Sequence, residues 1–107
     1  MDANRFATLA RLANLKKAAD LARLAQISAR LQLVQTLSEQ TEANLNRQTH
    51  LAHRSPEPQL LQVLDAHTIL ARQTLTRLAA DIDKINAERE DQRRICAGSF
   101  GRAQVLG

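Results

Sequence analysis

Aromatics, glycine, proline and cysteine are all scarce in this chain, and each shortage excludes something. Its 107 residues include no Trp or Tyr and two Phe. A compact mixed core draws much of its buried area from aromatics and varied side-chain shapes, so an ordinary globular core is not expected. The three glycines stand at 98, 101 and 107, and the two prolines, Pro56 and Pro58, stand together near the middle. A lone cysteine, Cys96, cannot close an internal disulfide and points to a reducing compartment. There is no run of about 18 apolar residues to span a membrane, and Arg5 and Arg11 interrupt any signal-peptide core. The expected location is cytoplasmic, peripheral to a membrane at most.

What the chain does contain is leucine, alanine and charge. Apolar residues make up 44%, nearly all of them Leu and Ala, beside 24% charged residues, which suits long helices that meet along a narrow seam. The stretch HRSPEPQ, residues 53–59, is the one internal break. Upstream, positions 24, 27, 31, 34, 38, 41, 45, 48 and 52 step 3-4-3-4, with Leu24, Ile27, Leu31 and Val34 the strongest. Downstream, the same step runs from Leu61 through Leu75, Leu78, Ile82 and Ile85 to Cys96. Folding about residue 56 sets Leu31 opposite Ile82, Ser38 opposite Leu75 and Leu45 opposite Thr68. The expected fold is all-α: an elongated antiparallel two-helix coiled-coil hairpin. Residues 1–107 form a single hairpin in this reading, with helix one over about 3–52 and a loop over about 53–59. Helix two covers about 60–97, with Gly98 as its left-handed cap, and 98–107 is a flexible tail.

The first thirty residues carry more leucine than one seam needs. LARLANL and LARLAQI repeat within residues 9–27, offset by 12 positions, which rotates the second about 120° from the first. Behind Leu24 the seam is expected to meet Asp20 and Lys16 and to become apolar again at Ala13, Leu9 and Phe6. On nearly the opposite face, Leu15, Ala18, Ala22, Ala25 and Ala29 make a second series, with Leu21 beside it. That stripe has no partner within the chain. Exposed helix-forming alanine explains it blandly; a docking face for another helix, in a homodimer or a different protein, explains it functionally.

The sequence offers no grouping for catalysis. His50, His53 and His67 lack the three or four convergent ligands of a zinc site and read as solvent-exposed histidines beside the loop. Cys96 continues the heptad track and reads as a semi-buried thiol. No Ser/His/Asp arrangement, phosphate loop or inward carboxylate pair is present, so neither an enzyme nor a cofactor is expected. Charge is more informative. Residues 1–30 carry six basic and two acidic side chains, 31–88 five and seven, and 89–107 four and two. A hairpin brings the basic ends together. Nucleic acid is disfavoured as the partner because apolar residues interrupt the basic ones and no aromatic platform accompanies them. An acidic protein surface fits better.

RFATLARLANLKKAADLARLAQ, residues 5–26, opens this hairpin, and with RFATL at 5–9 it resembles the stalk proteins of flagellar type III export and their virulence-secretion relatives. The resemblance implies a two-helix coiled coil similar to the central stalk of rotary ATP synthases. Such a protein binds the hexameric export ATPase, helps assemble its ring, and links it to the export gate and to export chaperones. It further implies that Arg5, Arg11, Lys16, Arg93 and Arg94 enter the ring. The stripe of Leu15, Ala18 and Ala22, or the loop end, then serves the remaining partner. The partner-binding candidates are therefore Arg5, Phe6, Arg11, Leu15, Lys16, Ala18, Leu21, Ala22, Ala25, Arg93 and Arg94. The expected function is a non-enzymatic stalk or adaptor of a type III export apparatus. The alternatives are a hairpin that self-associates through its alanine stripe into a four-helix bundle, and a small nucleic-acid-binding helical protein.

Overall fold

The computed structural model describes residues 2–54 and 57–106. Two helices account for nearly all of them, α1 (Asp2–Arg54) and α2 (Pro58–Leu106), and the fold is an antiparallel two-helix coiled-coil hairpin. Alpha1 runs 53 residues without Gly or Pro, and Leu and Ala supply the high helix propensity. Asp2 in its first turn and His53 and Arg54 in its last complement the helix dipole. Thr8, Thr41 and Thr49 donate their hydroxyls to the carbonyls four residues earlier, at 2.8–2.9 Å, so helix-interior threonines stay satisfied.

Helix boundaries differ from the sequence reading in two places. Of the expected loop 53–59, Ser55 and Pro56 lie outside the described residues, and Glu57 alone of the described residues is non-helical. Pro58 begins α2 rather than breaking it, because proline at the first helical position gives up a donor with no intrahelical partner. The Glu57 carbonyl accepts the first helical bond, from Leu61 N at 3.0 Å. At the other end, the expected cap at Gly98 and flexible tail 98–107 are replaced by helix through Leu106. No described glycine has a positive φ. The physical reason is tertiary: Ser99 and Ala103 continue the seam and are buried, and that burial outweighs a cost of about 1 kcal/mol for each glycine in a helix.

The chain divides into two compact units, Met1–Arg30 with Ile85–Gly107, and Leu31–Lys84. In the second, Leu31 and Leu78 are buried, and Val34, Leu45, Leu64, Leu75 and Ile82 are half-buried at the expected 3-4 positions. Ser38, Thr41, Gln48 and Thr68 are half-buried there too, so the polar weakening of the seam is real.

In the first unit Ile27 and Ile85 are buried, followed along α2 by Gln92, Cys96, Ser99 and Ala103. On α1 the inward track is Leu24, Asp20, Lys17, Ala13 and Ala10, all half-buried. The expected continuation through Lys16, Leu9 and Phe6 is corrected, since all three are exposed, Phe6 at 54%. A left-handed seam alternates steps of three and four, so the step of four from Leu24 to Asp20 is followed by three, to Lys17.

Candidate functional site

Where α1 begins and α2 ends, the seam of the first unit becomes polar. Asp20 lies at its centre, with its side chain 13% exposed. Ser99, itself 2% exposed, donates its hydroxyl to one Asp20 carboxylate oxygen. Lys16 Nζ approaches both oxygens, at 3.2 and 3.3 Å, from one turn earlier. Gln92 Nε2 donates to the Asp20 main-chain carbonyl at 2.9 Å.

The Ser99 hydrogen bond is the main influence holding the Asp20 carboxyl below its ordinary value. Partial burial opposes it, and the Lys16 hydrogen bond and the charges of Lys16 and Arg102 reinforce it. The cluster fixes α1 against α2 through atoms that fit in one register, the best-attested use of a polar layer in a coiled coil. Two further contacts flank it. Arg30 meets Glu88 across the seam at 2.5 Å, and Lys17 Nζ sits 4.2 Å above the centre of the Phe100 ring. Arg89, half-buried on the seam, leaves its Nε without a hydrogen-bond partner.

The expected partner-binding residues are all exposed: Arg5, Phe6, Arg11, Leu15, Lys16, Ala18, Leu21, Ala22, Ala25, Arg93 and Arg94. They do not form one surface. At about 100° per residue, Leu15, Ala18, Ala22 and Ala25 face away from the seam with Arg11, while Arg5 and Lys16 lie on a flank. Their charges also differ in kind. Arg93 pairs with Glu90 at 2.8 Å and Arg94 with Asp91 at 3.7 Å, both within one turn of α2. Arg5, Arg11, Arg23 and Arg102 meet no carboxylate within 4.0 Å among the described residues. Within the first unit, Arg5, Arg11, Lys17, Arg23, Arg89 and Arg102 are thus the cations without an ion-pair partner among the described residues.

One concave surface joins the two helices here. Leu9, Leu12, Ala13 and Lys16 from α1 meet Ser99, Arg102 and Leu106 from α2 around a groove of about 230 Å³. It adjoins a more open hollow of about 490 Å³ at Asn4, Arg5, Thr8 and Leu9. Sequence reasoning missed Leu12, Arg102 and Leu106 as site residues and placed Leu9 on the seam. The spacing Arg5–Leu9–Leu12–Lys16, in steps of 4-3-4, was the available signal for a second basic and apolar track.

His50, His53 and His67 are exposed as expected, and no grouping of three metal-ligating side chains occurs among the described residues. Cys96 is a free thiol at 6% exposure. No described helix is long and apolar enough to cross a membrane. Comparison with protein-family models, curated proteins and solved structures finds no match. The class the fold defines is the antiparallel helical hairpin, here with a polar lock and a basic, apolar groove in its first unit.

Proposed function

We propose that this chain is a non-enzymatic coiled-coil stalk or adaptor of a cytoplasmic protein-export apparatus, which docks an acidic protein surface through its first unit. One observation carries the reading: the chain's net positive charge falls in the unit whose α1 end also exposes Phe6, Leu9, Leu12 and Leu15. That unit holds ten basic and five acidic side chains, against five and six in the other. Phe6, Leu9, Leu12 and Leu15 stand 52–60% exposed beside Arg5 and Arg11. Charge speeds the encounter and apolar contact prolongs it. The resemblance of residues 5–26 to export stalks makes the export ATPase the first partner to test, with the export gate and export chaperones next. The purified chain is expected to co-elute with a type III export ATPase and to raise its rate of ATP hydrolysis. Arg5→Glu with Arg11→Glu should weaken that association about tenfold. No association, or stimulation indifferent to both reversals, would sink the reading.

Self-association is the second reading, supported by the uncovered face that carries Leu15 at 60% and Leu21 at 39% exposure. Sedimentation equilibrium separates the two. A dimer that Ala22→Glu dissolves means the face is used on a second copy, whereas a monomer in both cases leaves it free for another protein.

A further inference from the structure

The groove between α1 and α2 in the first unit has its own chemistry, distinct from the face opposite the seam. Its floor is leucine and alanine from both helices, and its rims are cations: Lys16 on α1, Arg102 on α2, and Arg5 in the adjoining hollow. No carboxylate lines either hollow. Asp20, one turn from Lys16, accepts from Ser99 and Lys16. Leu9 and Leu12, at 52% and 56% exposure, are bare in a concave setting that would hold an inserted side chain.

We infer that this groove, with Leu9, Leu12 and Leu106 as floor and Arg5, Lys16 and Arg102 as rim, receives an acidic amphipathic helix of a partner protein. The inference rests on the proposed docking function and names the surface and the partner element. The spacing favours a helix as occupant. Arg5, Leu9, Leu12 and Lys16 recur at 4-3-4 over three turns, about 16 Å of α1. A helix with leucines at 3-4 spacing places its ridge between these side chains, as a third strand does in a coiled coil. Its flanking carboxylates then reach Lys16 and Arg102 on opposite rims. Nucleic acid fits less well, because no aromatic lines the groove for base stacking and Phe100 lies beneath Lys17 instead. An anionic membrane engages a convex apolar face rather than a groove.

The test uses the full chain and a fluorescein-labelled synthetic peptide of about 18 residues, with leucine at heptad positions a and d and glutamate elsewhere. Fluorescence anisotropy should show saturable binding. A scrambled peptide of identical composition should bind at least about tenfold more weakly, because charge without a ridge cannot fill the groove. Leu12→Asp should lose about tenfold in affinity and Lys16→Glu with Arg102→Glu a similar amount. Leu33→Asp, at a 71% exposed position in the other unit, should stay within about twofold. Circular dichroism confirms that each variant is folded.

Equal binding of the scrambled peptide, no binding of either, or full binding by Leu12→Asp would each overturn the inference. So would binding of phosphatidylserine vesicles or single-stranded DNA with the peptide unbound. Failure of the functional reading is distinguishable. If the peptide binds as described but no export ATPase is stimulated, the groove stands and the export role falls. If the ATPase is stimulated equally by the chain and by Leu12→Asp, the role stands and the groove falls.

Discussion

Asp20 shows how one side chain sets the character of the first unit. Its carboxylate is held ionised chiefly by the Ser99 hydroxyl, then by Lys16 and Arg102. A carboxyl whose folded value is depressed contributes stability that is present above its unfolded value and lost as pH falls through the folded one. The contribution is therefore present at neutral pH and fades as pH drops below 3.8. Ser99→Ala should raise the Asp20 titration midpoint, read by carbon-13 NMR of its carboxyl. It should also lower stability at pH 7, with the two proteins converging in strong acid. A midpoint unmoved by the substitution would show that Ser99 is not the dominant partner.

The two glycines of α2 allow an equally direct check. A methyl group at Gly101 would meet nothing within 4 Å, and at Gly98 it would meet the far end of the flexible Arg102 side chain at 3.8 Å. Gly101→Ala should therefore stabilise the protein by about 0.5–1 kcal/mol in urea denaturation, and Gly98→Ala by a similar amount. Destabilisation by Gly98→Ala would instead mark that residue as a left-handed cap, with the helix ending there.

The two helices are legible in sequence to the degree that their seam is apolar. From Leu24 to Ala52 and from Leu61 to Ile85 the 3-4 period is visible in residue types, and the structure buries or half-buries those positions. Leu31→Ala, at a site 4% exposed, should cost about 2–4 kcal/mol in the same denaturation measurement. Leu33→Ala, two residues along at 71% exposure, should change stability by no more than about 0.5 kcal/mol. Comparable losses at both sites would contradict the seam.

Where the seam turns polar and small, hydrophobic period carries no phase information. Asp20 and Gln92 keep the 3-4 phase and are legible as seam positions, whereas Lys17 and Ser99 look like solvent residues by type and are recognised as inward only by their contacts. That is why the heptad pattern places Leu9 and Phe6 inward and leaves Lys17 out. The groove was hidden by the same phase error, because Leu9 on the seam leaves Leu12 and Leu106 without a neighbour. The tail departs from its sequence expectation for a related reason. Glycine propensity is local, whereas burial of Ser99 and Ala103 against α1 is not. Pro58 as a helix opener could have been anticipated, since proline is favoured at the first helical position.

Across the whole molecule, the uneven charge and the uncovered apolar side chains favour a protein that works by contact. Among the described residues, fifteen large hydrophobic side chains stand exposed, against six buried hydrophobic core residues, two of them the small Ala103 and Cys96. Surface hydrophobics scattered singly need no explanation, but Leu9 and Leu12 line a groove with cations on its rims. Charge is expected to act on encounter and leucine on residence. On the proposed function, an acidic protein is steered to the first unit and held in its groove.

The most direct measurement is the association and dissociation kinetics of the full chain with a type III export ATPase, at low and at high salt. Salt is expected to slow association several-fold while changing dissociation little, and Leu12→Asp to speed dissociation about tenfold while changing association little. Association indifferent to salt, or dissociation indifferent to Leu12→Asp, would contradict the proposed function.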